Sequence, residues 1–388
     1  MILILERELG KFSGHHHTQI SAIQKLLPEQ EVCVITTQSF DLSAQLADYR
    51  VLPVLPASKG RAFAEIGGRL GFREPLHLNL ARQLKDTILQ LNMGPKDRLV
   101  VPTCRTDYLR SLIALHTGDG FEYLPPTQIR ILSEDVLHRL SRSSRDRLRR
   151  LVCGQRISIF TETHELAKYL ASTYGFPCTD SFLLPASIPT GVTLPDPMPP
   201  ENGIFRVASL GQQRRGKGSF EIPDILAALR QSAAQEMPGA KMTIQIQRPA
   251  KSNRRHRRFL QKIKRSEGIN PDVTLEVLPS ELSPEAFVKH LESAHVALLP
   301  YWVSRYGRRG SGMVTDSVLA RKPIVHTRGL SMSKYLLSGN AVAAEGSEEF
   351  ANALLAVGKN WQRFRDGAED AGRLLEEHIR KTRHSIIG

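Results

Sequence analysis

Residues 295–327 read HVALLPYWVSRYGRRGSGMVTDSVLARKPIVHT, and this stretch decides the fold that the sequence predicts. Its short apolar run, residues 296–299, ends at Pro300, as a buried strand of a parallel sheet does. A glycine-containing loop follows, and the apolar spacing over residues 313–320 predicts a helix that Pro323 ends before another strand begins. The stretch therefore predicts one unit of strand, glycine loop, helix and strand, as α/β folds repeat it.

The loop of this unit has the features of an anion site. Gly310 and Gly312 allow the backbone to approach a ligand closely, and the first N–H groups of the next helix have no partner within that helix. The favoured ligand of such a helix start is a phosphate. Two glycines alone are compatible with a plain tight turn. The upstream cations Arg305, Arg308 and Arg309 favour the anion, because three positive charges beside a helix N-terminus need a negative partner.

A second glycine-rich loop follows the strand predicted at residues 205–210. It reads GQQRRGKG over residues 211–218 and contains Arg214, whose guanidinium can grip phosphate oxygens in pairs, and Lys217, whose ammonium is a compact charge. A solvated basic loop is the alternative in a protein this basic. It is not a Walker loop, because Gly218 stands where that motif needs Ser or Thr. Two anion-seeking loops at equivalent strand ends favour a bound diphosphate.

The two loops together resemble the donor-binding region of GT-B glycosyltransferases, especially of the family 4 type. The likeness rests on the G-x-x-R-x-x-K-G form of residues 211–218, and on the strand ending in Pro, the S-G loop, the early helix acid and the closing ARKPIV of residues 300–325. Arg308 and Arg309 stand where the family has a glutamate. The donor-binding residues that the resemblance implies are Gly211, Arg214, Lys217, Gly310, Ser311, Gly312, Met313 and Asp316.

The resemblance also implies a fold and an activity. The expected fold is α/β, with two Rossmann-like domains that face each other across a cleft. The expected activity is metal-independent transfer of a hexose-type sugar from a nucleotide-diphosphate sugar to an acceptor, with Arg214 and Lys217 as catalytic cations and no cofactor. No D-x-D motif is present to hold a metal. Two alternatives remain: a nucleotide-sugar 2-epimerase of the same fold, and a non-enzymatic nucleic-acid-binding protein.

Alternating strand and helix patterns divide the chain into two halves. Residues 1–190 predict an N-terminal acceptor-binding domain, and residues 203–360 predict the nucleotide-sugar domain. A proline-rich segment separates them, since no periodic element survives that density of proline. Residues 361–388 predict an amphipathic helix that packs back on the first domain, with Trp361 and Phe364 as the candidate contacts.

The acceptor side offers fewer signals. Gly14, His15 and His16 lie in a loop predicted after the first strand, and ligands of doubly wound sheets collect at such strand ends. With His17 they make three adjacent histidines, but neighbours on one loop rarely converge on a metal, so no metal site is predicted. Asp135 follows a predicted strand and is the candidate catalytic base; the alternative is that it caps an arginine-rich helix predicted over residues 136–152.

Composition bounds the rest. The chain has 388 residues, a formal charge of +14 and four cysteines without C-x-x-C spacing, so two domains, negatively charged partners and a reduced compartment are expected. No signal peptide or membrane-spanning run is recognised, which predicts a cytoplasmic protein, possible as a peripheral one on the inner face of the cell membrane. The expected acceptor is a carbohydrate or a lipid-linked one in bacterial surface polysaccharide synthesis. The basic run 251–265 favours a solvated helix face over nucleic-acid binding.

Overall fold

The structure is a computed structural model of the chain. It describes residues 1–388 except 13, 42–48, 56–74, 119, 189–193, 196–203, 249–260 and 262–268. The proline-rich segment and the basic run of the sequence analysis fall largely in these gaps and so lie outside the described residues. The described chain divides into two compact units: Met1–Thr190 together with His378–Gly388, and Gly191–Glu377.

The first unit is built on a parallel sheet. Its described strands are β1 (Ile2–Leu5), β2 (Val32–Thr37), β3 (Arg50–Leu55), β4 (Arg98–Cys104), β5 (Thr127–Ile131), β6 (Ile157–Thr161) and β7 (Cys178–Thr179). They lie in the order β3-β2-β1-β4-β5-β6-β7. Its described helices are α1 (Gly14–Leu26), α2 (Leu76–Gln90), α3 (Thr106–Leu115), α4 (Asp135–His138), α5 (Arg142–Cys153) and α6 (His164–Tyr174).

The second unit repeats this plan. Its described strands are β8 (Ile204–Ser209), β9 (Lys241–Gln247), β10 (Val273–Leu278), β11 (Val296–Leu299), β12 (Ile324–Thr327) and β13 (Ala341–Ala344). They pair in parallel in the order β10-β9-β8-β11-β12-β13. Its described helices are α7 (Ile222–Glu236), α8 (Pro284–Ser293), α9 (Val303–Tyr306), α10 (Gly312–Leu319), α11 (Gly346–Lys359) and the first part of α12 (Trp361–Ile387).

Burial explains why these segments are strands of parallel sheets. Every residue of β1, β5 and β11 is buried, which requires helices over both faces of the sheet. In each unit the strand order reverses beside the unit's first strand, β1 or β8, so the chain leaves that strand and its neighbour in opposite directions. A crevice forms at this switch point, outside the carboxyl ends of the strands. The prediction of an α/β fold with two Rossmann-like units is confirmed.

The arginine-rich segment differs from its prediction. It forms two helices, because α4 ends at His138 and α5 begins at Arg142. The N-cap of α5 is Ser141, whose hydroxyl oxygen accepts the N–H of Ser144 at 3.2 Å. The alternative that Asp135 caps the arginine-rich helix is therefore wrong.

The long helix α12 begins in the core of the second unit. Trp361 and Phe364 pack there and not, as expected, on the first unit. The indole N–H of Trp361 donates to the backbone oxygen of His295 at 3.0 Å. The His295 ring stacks on Phe205 and accepts the N–H of Arg206 at 2.8 Å, so one buried cluster ties the helix start to β8. A buried aromatic N–H needs such a partner, which explains this position of the tryptophan.

The end of α12 belongs to the first unit. The hydroxyl of Thr382 accepts the N–H of Leu183 at 3.0 Å and donates to the Leu183 carbonyl at 2.8 Å. Arg383 binds both carboxylate oxygens of Glu29, at 2.8 and 3.1 Å. The strand predicted at residues 182–185 is wrong, since Thr382 satisfies Leu183 as a neighbouring strand would, and β7 pairs with β6 instead. Among the described helices, none combines the length and the apolar character that crossing a bilayer requires.

We expect Thr382→Val to destabilise the protein by about 1–3 kcal/mol, because it keeps the shape of the side chain but leaves the buried N–H of Leu183 without an acceptor. Urea unfolding followed by tryptophan fluorescence and circular dichroism measures the change. Thr274→Val is the control, since Thr274 loses a bond to Thr243 of 3.0 Å at an exposed position where water replaces it. Equal effects of the two substitutions would contradict the role given to Thr382.

Candidate functional site

The two glycine-rich loops of the second unit leave the sheet side by side. The loop 211–218 follows β8, and the segment 300–312 follows β11. These strands are parallel neighbours, with Val296 opposite Val207 and Ala297 opposite Ala208. Both loops therefore start at the carboxyl edge of the sheet, at its switch point, where an α/β sheet places its ligand.

Backbone and side-chain contacts lock the two loops together. The N–H of Trp302 donates to the carbonyl of Gly216 at 3.1 Å. The Arg305 side chain covers Gly216 so closely that a Cβ there would lie 2.6 Å from its Cδ. The Arg215 guanidinium lies over the Trp302 ring, 4.7 Å from its centre. The loop 211–218 is thus held in one position by the segment after β11.

Lys217 brings the predicted cations to one point. Its ammonium lies 2.6 Å from the place that a Cβ on Gly211 would occupy, and 5.6 Å from the centre of the Tyr301 ring. Burial first, and then the positive charge of Arg214, lower the pKa of Lys217 to about 8, while the negative charge of Asp316 opposes them. Gly211 has φ +87°, so both its backbone and the nearby ammonium require glycine there.

The start of α10 supplies backbone donors beside this ammonium. Ser311 is the N-cap, and its own N–H donates to the sulfur of Met332 at 3.3 Å. The N–H groups of Gly312 and Met313, in the first turn of α10, have no acceptor within the helix and carry the positive end of its dipole. The Met313 side chain lies 3.6 Å from the Cβ position of Gly211, which joins the helix start to the loop. Gly310 precedes the N-cap.

Asp316 lies one turn into α10 and is only 2% exposed. Its carboxylate is close enough to influence both Lys217 and Tyr301. The sequence analysis missed Tyr301, whose hydroxyl faces the Ser311 side chain and whose pKa is raised by burial. An aromatic residue directly after Pro300, at the end of a buried strand, was the available signal. The roles assigned to these residues in donor binding stay predictions.

The arrangement suits a particular ligand chemistry. Arg214, Lys217 and the α10 amides present positive charge and N–H donors to one place, as a diphosphate requires. Asp316 adds a carboxylate that can accept hydrogen bonds from hydroxyl groups. Arg308 and Arg309 lie in the loop before Ser311, and the Arg309 carbonyl accepts the Ser331 hydroxyl at 2.5 Å.

A second polar cluster lies at the switch point of the first unit. Gly14 has φ +80° and begins α1, so His15, His16 and His17 occupy the first turn of a helix; the prediction of a loop there is wrong. Nδ1 of His16 is 3.4 Å from a carboxylate oxygen of Glu6, and Nδ1 of His17 lies 2.7 Å from the Tyr49 hydroxyl. The acceptor-binding role of Gly14, His15 and His16 stays a prediction.

The centre of this cluster is Arg130, which the sequence analysis missed. It is fully buried, and burial lowers its pKa while Glu162 and Glu6 oppose the shift. Its Nε donates to the Pro102 carbonyl at 2.7 Å and one Nη to Gln19 of α1 at 2.8 Å. The other Nη lies 3.9 Å from Glu162. An arginine inside the all-buried strand β5 was the available signal, because a buried charge needs partners.

Asp135 lies at the carboxyl end of β5 as the first residue of α4, and its side chain is exposed. Its N–H donates to the Ser133 hydroxyl at 3.4 Å. Its role as catalytic base stays a prediction. Among the described residues, no three His, Cys, Asp or Glu side chains converge as the ligands of a metal ion would.

Solved structures share this fold over nearly the whole chain. A UDP-forming α,α-trehalose-phosphate synthase from Burkholderia xenovorans matches with a TM-score of 0.66 at 12% identity, over 99% of this chain and 96% of that one. A glycosyltransferase from Rickettsia africae matches with a TM-score of 0.61 at 11% identity, over 98% and 96%. HepE of Anabaena, solved with UDP and glucose, matches with a TM-score of 0.60 at 13% identity, over 97% and 95%.

These neighbours have the GT-B fold, and the predicted resemblance to that fold is confirmed. No protein-family model and no curated protein sequence matches the chain. At such low identity the likeness establishes the architecture. The function therefore has to be argued from the residues at the switch points.

The contact between the two loops predicts a large effect of Gly218→Ala. Gly218 has φ +67°, and a Cβ there would overlap the carbonyl oxygen of Pro300. Gly239 has φ +81°, but no atom of the described residues lies within 4 Å of its Cβ position. We expect Gly239→Ala to cost about 1–2 kcal/mol for the left-handed backbone alone, and Gly218→Ala to cost more, as measured by thermal unfolding. Equal losses would show that the two loops are not packed as described.

Proposed function

We propose that the protein is a glycosyltransferase, which moves a sugar from a nucleotide-diphosphate sugar to an acceptor hydroxyl. The observation that carries this proposal is the convergence of Arg214, Lys217 and the α10 amides beside Asp316. The GT-B fold supports it, since the HepE structure of that fold is described with UDP and glucose.

In the proposed reaction the bond between the sugar carbon and the diphosphate oxygen breaks, and negative charge collects on the leaving diphosphate. Lys217 and Arg214 stabilise that charge, and they do so from positions that burial and loop packing have fixed beforehand. The N–H groups of Gly312 and Met313 add donors that need no reorganisation. Asp316 accepts hydrogen bonds from the nucleotide ribose. No metal is needed on this proposal, because the protein supplies the cations.

The acceptor is proposed to be a carbohydrate or a lipid-linked sugar in the synthesis of a bacterial surface polysaccharide. The arginines of α5 support this, since Arg142, Arg145, Arg147, Arg149 and Arg150 make one helix strongly basic. Such a helix suits the anionic inner face of a membrane or a diphosphate-linked lipid. Retention of reaction activity on water-soluble acceptors alone, with no gain on lipid-linked ones, would contradict this part.

Removing either cation of the second unit should nearly abolish turnover. We expect Lys217→Ala and Arg214→Ala each to lower kcat by on the order of 100-fold, the usual loss when one preorganised charge at a developing anion is deleted. The measurement is release of nucleoside diphosphate from a panel of nucleotide sugars, with and without sugar acceptors.

Lys241→Ala is the matched control, because Lys241 starts β9 at the opposite edge of the same sheet and is exposed. Its removal costs the same charge and should leave turnover unchanged. Near-normal turnover in both site variants would remove the assignment. Nucleotide release that does not depend on an added acceptor would favour the nucleotide-sugar 2-epimerase instead.

The pH dependence of nucleotide binding gives an independent test. The pKa of Lys217 is about 8 in the free protein, so its ammonium is charged below that pH and neutral above it. Phosphate groups with a second pKa of about 6 are fully ionised in this range, so the ligand itself does not titrate. We expect the Kd for UDP, measured by calorimetry, to rise by up to about tenfold per pH unit above pH 8.

Lys217→Arg separates this effect from other titrations, because a guanidinium stays charged throughout. Lys322 is the main competitor: burial lowers its pKa to about 8 as well, and its ammonium donates to the Glu292 carbonyl at 2.6 Å. A flat Kd between pH 7 and 9 in Lys217→Arg assigns the titration to Lys217. The same rise in that variant would assign it elsewhere.

A further inference from the structure

A cavity of about 420 Å³ lies in the first unit, outside both polar clusters. Three helices enclose it: the first turn of α2, the second half of α3 and the first two turns of α5. Its volume is that of a small-molecule site. Neither the proposed sugar transfer nor the packing of the unit accounts for its polar lining.

The lining is positively charged. Arg110 of α3 and Arg147 of α5 both face the cavity, and no Asp or Glu belongs to its lining among the described residues. Arg110 is held in place, because its guanidinium donates to the Arg139 carbonyl at 2.9 Å. The pKa of His77, also in the lining, is lowered by burial and then by the charge of Arg110, so the guanidinium is near the ring. Two guanidinium groups around one cavity repel each other unless an anion lies between them.

Neutral donors complete the lining. The hydroxyl of Ser141 lies 2.9 Å from that of Ser144, and both residues border the cavity. They stand at the start of α5, whose first N–H groups point outward from the helix. The other walls include Leu78 and Ile113, which suit the organic part of a ligand and not a second charge.

We propose that this cavity binds a phosphate group, held between Arg110 and Arg147 and hydrogen-bonded by Ser141 and Ser144. The chemistry of two guanidinium groups and two hydroxyls is that of phosphate recognition, because the fork of each guanidinium matches a pair of phosphate oxygens. The same group is presented by a soluble phosphate or phosphomonoester and by a lipid headgroup. The proposal is independent of the transferase function, since its residues lie in a different unit from Lys217.

The test compares two arginines of the same helix. Arg147 lines the cavity, whereas Arg142 is exposed on α5 and does not. Each substitution by Ala removes one charge, so general attraction to anions changes equally. Calorimetry with inorganic phosphate is done on the full chain carrying Lys217→Ala, which removes the proposed diphosphate site as a competitor. We expect Arg147→Ala to raise the Kd by about tenfold or more, and Arg142→Ala by less than about twofold.

A second arm identifies the source of the phosphate. Flotation is measured with phosphatidylcholine vesicles that contain phosphatidic acid or, at equal charge, phosphatidylglycerol. Loss of binding to phosphatidic acid vesicles in Arg147→Ala but not in Arg142→Ala supports a headgroup. A selective loss of inorganic phosphate binding, with equal vesicle binding by both variants, supports a soluble phosphate. If the two variants behave alike with both probes, the cavity is only part of a basic surface and the proposal is overturned.

Discussion

Parallel pairing of β8 with β11 is the constraint on which the candidate site depends. In a parallel sheet all carboxyl ends meet at one edge, so loops far apart in sequence become neighbours once the register is set. Here the register brings Gly211 and Gly218 against the segment that starts at Pro300. The tight fit of backbone to backbone at Gly218 leaves no room for adjustment. A slip of one residue between these strands would separate Lys217 from α10 and turn the buried faces outward.

Two buried cations of the protein show how partners decide what a charge can do. Arg130 has lost most of its hydration, but a carbonyl, an amide oxygen and a nearby carboxylate replace the water around it. It therefore serves the structure by holding α1 to the sheet. Lys217 is also desolvated, yet the neighbouring charge of Arg214 opposes it and only Asp316 compensates. An incoming anion would relieve that imbalance, and this is why the second cluster, more than the first, has the properties of a binding site.

Much of the fold and of the second-unit site could be predicted because the signals are local. Each buried strand is a short apolar run, and the residues that form the site lie within two loops whose glycine and arginine spacing can be read directly. Tyr301, Glu6 and Arg130 could not be assigned in this way, because their environment is set by neighbouring strands that no local pattern names. The break before Arg142 was missed for a related reason: Ser141 competes as an N-cap inside a segment whose charges alone suggest one helix. The packing of Trp361 against His295 depends on contacts across the sequence, and so it was also missed.

Helix α12 has a consequence for how the chain can fold as it is synthesised. The first unit includes residues from both ends of the chain: the amino group of Met1 pairs with Asp97 at 2.8 Å, and Thr382 completes the hydrogen bonds of Leu183. Ile386 lies in the same apolar cluster as Ile2 and Ile4 of β1. On a ribosome the second unit can therefore close before the first, although the first emerges earlier. Until the end of α12 appears, the nascent first unit has an open apolar seam beside β1, and a chaperone that covers apolar surface would find its binding site there.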